Sequence, residues 1–181
     1  MNKNSYQLII LDRDGVINDD SPNYIKSPNE WHAIPGSLEA IAKLNRAHKK
    51  VAIATNQSGI ARGFYDENML EQIHQKMHDQ LAIVNGHIDM IAYCPHHPND
   101  NCLCRKPKPG LLLQISKAFN IPLTQAIMIG DSLKDCQAAQ QAGCDFALVK
   151  TSNGQETLKS IQKDTISIYM DLAEVVASLI P

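Results

Sequence analysis

The chain alternates short runs of apolar residues with segments in which apolar positions recur at helical spacing. The runs short enough to be buried strands are LIIL (8–11), VAIAT (51–55), IDMIAYC (88–94), AIMIG (126–130) and FALVK (146–150). The segments with helical spacing are GSLEAIAKLNRAHKK (36–50), the stretch after Asp66 with Leu70, Ile73, Met77 and Leu81, LLLQISKAF (111–119) and LKDCQAAQQAG (133–143). From about Thr151 to Pro181 we expect one further strand, around TISIYM, and one further helix, DLAEVVASLI.

This order of elements predicts an α/β fold. Strands that alternate with helices form parallel sheets, and helices cover both faces of such a sheet. The expected architecture is a three-layer, Rossmann-like sheet in a single domain over residues 1–181, because no linker, repeat or low-complexity segment interrupts the pattern. Folds of this kind bind ligands beyond the carboxyl ends of their strands.

Polar residues follow the apolar runs at those carboxyl ends. Asp12 and Asp14 come directly after LIIL, Thr55 and Asn56 end the second run, and Asp131 follows AIMIG. Each has an ordinary interpretation when taken singly, as a solvated turn, a helix cap or a β-branched strand residue. Because the carboxyl ends of parallel strands meet at one edge of the sheet, we expect these side chains to lie close together.

The residue types at this edge are those that bind a metal and a phosphate. The segment GDSLKD adds Asp131 and Asp135 to the two carboxylates after LIIL. Carboxylates so close to one another repel unless a cation lies among them, and Mg²⁺, which usually completes its shell with water and a substrate phosphate, is the cation we expect. The hydroxyl of Thr55, the amide of Asn56 and the ammonium of Lys106 are groups that bind phosphate.

Composition excludes some other functions. The 181 residues carry a formal net charge of −2, and no basic stripe suited to nucleic acid is present. No apolar run is long enough to cross a bilayer, and the opening residues MNKNSYQ have no apolar core of a secretory signal. We therefore expect a soluble, cytoplasmic protein that has no nucleic acid or membrane partner.

Three of the five cysteines lie in the loop CPHHPNDNCLC. Cys94, His96, Cys102 and Cys104 form a CxH and CxC pair with a five-residue spacer, and three thiolates with one imidazole are a tetrahedral Zn²⁺ set without an open position. His97 is the alternative imidazole. Disulfides are not expected in a chain with an odd number of cysteines and no export signal, and we interpret Cys136 and Cys144 as packing residues.

Four segments, LDRDGVIN, ATNQSGIARG, CRKPKPG and GDSLKD, stand in the order of the four motifs of the haloacid dehalogenase superfamily of phosphohydrolases. The chain resembles the branch that contains histidinol phosphatases and heptose bisphosphate phosphatases, from about Leu8 to Val149. The resemblance implies a fold without a cap domain and with a zinc loop. Within this branch, the chain is more similar to the heptose enzymes. The resemblance therefore implies Mg²⁺-dependent removal of the 7-phosphate from a heptose 1,7-bisphosphate, in heptose precursor synthesis for lipopolysaccharide.

The resemblance also implies residue roles. Asp12 is the nucleophile that forms an aspartyl phosphate, and Asp14 is the acid and base. The other implied residues are the Mg²⁺ ligands Asp12, Asp14 (by its backbone carbonyl) and Asp131, with Asp135 in support, the charge-stabilising Thr55 and Lys106, and the substrate contacts Asp20, Asn56, Gln57, Ser58 and Arg105. Arg13 should point away from its neighbours on an extended chain, so we expect it to take no part in proton transfer.

The sequence allows more than one activity. Ser132 stands where the heptose enzymes are expected to have a lysine, and histidinol-phosphate phosphatase is the alternative activity. A zinc-stabilised binding module without catalysis is an alternative of another class. We expect a monomer with an open site, shaped by SPNYIKSP (21–28) and the zinc loop. Trp31 is interpreted as packing against a helix rather than stacking on a sugar.

Overall fold

A computed structural model describes residues 6–161 and 166–180. Within these ranges, six parallel strands form one sheet in the order β3-β2-β1-β4-β5-β6. The strands are β1 (Leu8–Leu11), β2 (Lys50–Asn56), β3 (Met90–Cys94), β4 (Ala126–Gly130), β5 (Asp145–Val149) and β6 (Ser167–Tyr169). The five apolar runs and the segment TISIYM are therefore strands, although Thr165, the first residue of that last segment, lies outside the described residues.

In the described residues, six α-helices accompany the sheet. They are α1 (Ser37–Arg46), α2 (Glu67–Ile83), α3 (Gly110–Phe119), α4 (Leu133–Ala142), α5 (Gly154–Ser160) and α6 (Leu172–Leu179). The helix expected after Asp66 is confirmed, and the Asp66 carboxylate caps it by accepting a hydrogen bond from the backbone N–H of Met69. Gly143 ends α4 in the left-handed conformation that favours glycine.

The helices cover both faces of the sheet, as the three-layer prediction requires. In β1, Ile9 and Leu11 pack on the face covered by α1, α2 and α6. Leu8 and Ile10 pack on the opposite face, covered by α3 and α4. Burial on both sides explains why β1 reads as a continuous apolar run instead of an alternating one. Cys136 and Cys144 are buried on this opposite face, as expected for packing residues.

Helix α5 was not expected from the sequence. Its seven residues, GQETLKS, contain one large apolar side chain, so they lack the periodicity that identifies a helix. Gly154 is required at its start, because a Cβ atom there would lie 1.8 Å from the carbonyl oxygen of Val149. This close approach turns the chain back over the end of β5 and brings Asn153 to the carboxyl edge of the sheet.

The loop between β1 and α1 is anchored to the core. Trp31 is 0% exposed and belongs to the cluster under α1 and α2, so the packing interpretation is confirmed. The ammonium of Lys76 on α2 donates to the carbonyl oxygens of Pro28 and Trp31. Within the described part of the chain, no helix is both long and apolar enough to span a bilayer.

Candidate active site

The carboxyl ends of the central strands form the floor of a cavity. Leu11 of β1 pairs with Ile53 of β2 and Ile129 of β4, so the carboxyl ends of these three strands lie at one edge of the sheet, with β2 continuing to Asn56. The cavity above them has a volume of about 490 Å³, within the range of small-molecule sites. Of the eleven residues predicted outside the zinc loop, Asp135 is fully buried against Lys106, and the other ten line the cavity: Asp12, Asp14, Asp20, Thr55, Asn56, Gln57, Ser58, Arg105, Lys106 and Asp131.

A buried lysine lies between two carboxylates at the centre of the cavity. The Nζ atom of Lys106 is 3.0 Å from Oδ2 of Asp12 and 2.6 Å from Oδ1 of Asp135, and the lysine side chain is 2% exposed. Burial disfavours the charge on Lys106, but the two carboxylates outweigh it and raise the pKa of Lys106 above its usual value. The lysine is therefore a fixed positive charge beside Asp12.

Asp12, Asp131 and Asp135 form a compact carboxylate group that fits a divalent cation. Each offers an oxygen, and these oxygens all lie within 4.8 Å of one another. Burial, together with the neighbouring carboxylates, raises the pKa of Asp12 well above its usual value, although Lys106 opposes the shift. Burial and the charge of Asp135 raise the pKa of Asp131 to about 6. Such crowding of hard oxygen ligands is what a bound Mg²⁺ would relieve.

Ser132, the residue that departs from the expected pattern, caps α4. Its hydroxyl donates to Oδ2 of Asp135 at 2.6 Å and accepts from the Asp135 backbone N–H, and the same carboxylate accepts from the Ser132 N–H. This capping box fixes Asp135 opposite Lys106. A lysine has no acceptor with which to cap the helix, so the capping role explains the serine at this position.

Asn153 is a site residue that the sequence did not reveal. Its backbone N–H and its side-chain Nδ2 both donate to Oδ2 of Asp131, each at 3.0 Å. Nδ2 also donates to Oδ2 of Asp20 at 3.1 Å. Asn153 thus joins two predicted site carboxylates, and only the unexpected helix α5 places it there.

Arg13 does not point away from Asp14, and that expectation is wrong. Its Nε and Nη2 atoms donate to the Asp14 carboxylate at 3.0–3.1 Å. The alternation of an extended strand does not apply because β1 ends at Leu11 and the chain turns at once. Gly15 has φ 84°, and the Arg13 carbonyl oxygen accepts from the N–H of Ile17 inside that turn.

Two amide side chains from the end of β2 are hydrogen-bonded inside the protein. Gln57 Nε2 donates to Oδ2 of Asp14 and to Oγ1 of Thr55, at 3.0 and 2.9 Å. Asn56 donates to the carbonyl oxygen of Lys106 and accepts from the Lys106 N–H, at 3.0 and 3.1 Å. These bonds fix Thr55, Asp14 and the Lys106 backbone relative to one another.

The four zinc-loop residues converge on one point. The three pairs of sulfur atoms are 3.2–3.6 Å apart, and Nδ1 of His96 is 3.5 Å from the Cys94 sulfur and 3.2 Å from that of Cys104. A tetrahedral zinc with bonds of about 2.3 Å separates its sulfurs by about 3.8 Å, close to this spacing. His97 accepts from the Asn99 N–H instead, and so serves the loop turn.

The fold and this site together define a hydrolase class. A family model described as haloacid dehalogenase-like hydrolase matches residues 9–111, and a HAD-hydrolase-like model matches residues 103–175. The chain belongs to the haloacid dehalogenase-like hydrolases.

Several similar proteins carry a more specific name than the family does. The chain is 54% identical over 152 residues to the D-glycero-beta-D-manno-heptose-1,7-bisphosphate 7-phosphatase of Bordetella bronchiseptica, covering 84% of this chain and 85% of that protein. It is 48% identical over 176 residues to the Pseudomonas aeruginosa protein of the same name, covering 97% and 99%. The crystal structure of the B. bronchiseptica D,D-heptose 1,7-bisphosphate phosphatase with magnesium and phosphate superposes with a TM-score of 0.93 at 50% identity, covering 96% and 97% of the two chains.

Proposed function

We propose that this protein hydrolyses the 7-phosphate of D-glycero-β-D-manno-heptose 1,7-bisphosphate, in heptose precursor synthesis for lipopolysaccharide. The observation that carries the proposal is Asp12 at the end of β1, 3.0 Å from the buried ammonium of Lys106 and grouped with Asp131 and Asp135. A nucleophile, a fixed cation and a magnesium-type carboxylate group in one cavity are the parts that phosphoryl transfer needs. The named relatives supply the substrate.

In the proposed mechanism, two aspartates divide the chemistry. An oxygen of Asp12 attacks phosphorus, and the C7 oxygen of the sugar leaves with a proton from Asp14. Asp14 then takes a proton from water, which attacks the aspartyl phosphate and releases inorganic phosphate, restoring Asp12. Thr55 and Lys106 stabilise the charge on the transferring phosphoryl group.

The remaining predicted residues hold the ion and the substrate. Asp12, the backbone carbonyl of Asp14 and Asp131 would hold Mg²⁺, with Asp135 in support, and Mg²⁺ when bound would neutralise charge on the phosphoryl oxygens. Asp20, Ser58 and Arg105, which line the cavity, are proposed to contact the sugar or its second phosphate, as is Asn56. Gln57 is 3% exposed and its amide hydrogens are bonded to Asp14 and Thr55, so its predicted role in substrate binding is proposed to act through those two residues.

We further propose a single monomeric phosphatase domain over residues 1–181, acting in the cytoplasm. One chain contributes every residue of the proposed site, so no second copy is needed to complete it. Three thiols in a metal-binding arrangement suit a reducing compartment.

Comparing substrates tests the proposed activity. Initial rates of Mg²⁺-dependent phosphate release are measured for the heptose bisphosphate and for histidinol phosphate. We expect kcat/KM to favour the heptose by at least about 100-fold. Preference for histidinol phosphate would overturn the substrate but keep the reaction, and absence of turnover on either would support a binding module.

Loss of zinc is expected to weaken both the fold and the catalysis. We propose that Cys94, His96, Cys102 and Cys104 bind Zn²⁺ and thereby fix Arg105 and Lys106, which follow directly. Cys104→Ser should lower the zinc content, lower Tm by several degrees and lower kcat by about 10-fold. Metal analysis, thermal melting and kinetics measure these effects.

The matched control for zinc is Cys136→Ser, a cysteine buried on α4 outside the loop. That variant should retain the zinc of the unaltered protein. Zinc-free protein that is fully active and stable would contradict the zinc assignment.

Asn153→Ala is expected to raise the Mg²⁺ requirement. The change removes the side-chain hydrogen bond to Asp131 and leaves that carboxylate less well oriented. We expect the Mg²⁺ concentration at half-maximal rate to rise by about 10-fold, with a smaller change in kcat at saturating Mg²⁺. Ser152→Ala, its exposed neighbour, is the control, and an unchanged Mg²⁺ titration for Asn153→Ala would show that Asn153 does not orient the ligand.

A further inference from the structure

Arg13 is a buried cation with its counter-charge at the edge of the cavity. Its side chain is 0% exposed, whereas that of Asp14 is 20% exposed. The Asp14 carboxylate accepts from Arg13 through Nε and Nη2, from Nδ2 of Asn18 at 2.9 Å and from Nε2 of Gln57 at 3.0 Å. So many donors leave the carboxylate one orientation.

His74 on α2 contacts Nη1 of Arg13, the guanidinium nitrogen that does not bond to Asp14. Its Nε2 atom lies 3.2 Å from Nη1 of Arg13. Burial, reinforced by the charge of Arg13, lowers the pKa of His74 to about 3, so the ring is neutral. A guanidinium only donates, which makes Nε2 the acceptor and leaves the ring proton on Nδ1. The contact ties the arginine to a helix that packs on the sheet.

Gln57 links the same arginine to Thr55 at the end of β2. Its Oε1 accepts from Nη2 of Arg13 at 3.3 Å and from the Tyr65 hydroxyl at 2.6 Å. With both Nε2 hydrogens bonded to Asp14 and Thr55, the amide has no free donor. The side chains of Arg13, Gln57, Tyr65 and His74 thus form one buried hydrogen-bonded group behind Asp14, which we term the Asp14 clamp.

We propose that Arg13, oriented by His74 and Gln57, is a positioning residue that holds the Asp14 carboxylate in place to take the proton from water. The inference rests on the proposed function, since it assigns Asp14 to proton transfer. Attack by Asp12 on a substrate with a good leaving group needs no proton from Asp14. Hydrolysis of the aspartyl phosphate does need Asp14, as the base that accepts a proton, because water must lose a proton as its oxygen bonds to phosphorus. Damage to the Asp14 clamp should therefore slow the second step more than the first.

Variants of Arg13 and of His74 test this inference. Arg13→Lys keeps the charge but cannot reach Asp14 and His74 together. We expect its kcat with p-nitrophenyl phosphate to fall by about 100-fold and KM to fall with it, so that kcat/KM stays nearly unchanged, because only the second step slows. His74→Leu removes the acceptor, and we expect a fall of about 10-fold, largely restored in His74→Gln, which keeps an acceptor. His78→Leu, one turn along α2, is the matched control and should keep the kcat of the unaltered protein.

Rapid mixing with p-nitrophenyl phosphate separates the two steps. In Arg13→Lys and His74→Leu we expect a burst of nitrophenolate equal to the number of active sites, followed by slow turnover. If both phases slow by one factor, if KM rises, or if no rate changes, the clamp is structural only and the inference falls. If Arg13→Lys does not fold, the comparison of His74→Leu with His74→Gln tests the inference by the same criteria.

The aryl substrate keeps this test independent of the sugar. A protein that turned over p-nitrophenyl phosphate but not the heptose bisphosphate would lose its proposed substrate. The burst in the variants would still decide whether Arg13 positions Asp14.

Discussion

Asp12→Asn is expected to lower phosphate release by at least about 10⁴-fold, because the amide cannot attack phosphorus. The change is nearly isosteric, and it removes a buried carboxylate whose pKa is already raised by burial and by its neighbours. Lys106 keeps Asp135 as a partner at 2.6 Å, so the buried ammonium is not left unpaired. Loss of activity should therefore occur without loss of the fold.

The measurement is steady-state phosphate release, with circular dichroism and thermal melting to compare the fold. Asp145→Asn is a suitable control, since that carboxylate, at the start of β5 and away from the cavity, accepts a hydrogen bond from the Tyr6 hydroxyl. Appreciable turnover by Asp12→Asn, with the Mg²⁺ dependence of the unaltered protein, would exclude Asp12 as the nucleophile.

Lys106→Met is expected to cause the second largest effect, on both rate and stability. It removes the cation proposed to stabilise the phosphoryl group, and losing one such contact costs roughly 10²–10³-fold in kcat. It also leaves Asp12 and Asp135 facing each other without their shared partner. Breaking a buried ion pair by removing one member destabilises a fold by about 3–5 kcal/mol.

Urea unfolding with and without Mg²⁺ tests the stability effect. Mg²⁺ should restore part of the lost stability, because it would supply positive charge among the same carboxylates. Lys117→Met, on the exposed surface of α3, is the control and should change neither property. A Lys106→Met protein with normal kcat would show that the buried ammonium serves packing alone.

The sequence was informative where local pattern and chemistry agree. Buried parallel strands such as Leu8–Leu11 are apolar on both faces, so they stand out as runs, and polar residues after them must lie at one edge of the sheet. For that reason Asp12, Thr55 and Asp131 could be placed near one another before the structure was known. The convergence of the cysteine loop follows from ligand types and spacing in the same way.

The features that the sequence did not reveal depend on contacts between distant residues or on a local turn. Asn153 meets Asp131 only because Gly154 lets the chain pass close to Val149, and no periodic pattern marks such an approach. Strand alternation predicts the wrong direction for the Arg13 side chain because β1 ends at Leu11. The capping role of Ser132 does have a local signal, since Ser132 and Asp135 stand three residues apart at a helix start.

The most direct test of the account is phosphorus NMR of the unaltered protein acting on D-glycero-β-D-manno-heptose 1,7-bisphosphate with Mg²⁺. The proposed function predicts that the C7 phosphate resonance disappears as inorganic phosphate appears, while the phosphate on C1 stays on the sugar. Loss of the C1 phosphate first, or no loss of either, would contradict the assignment of this site as a 7-phosphatase.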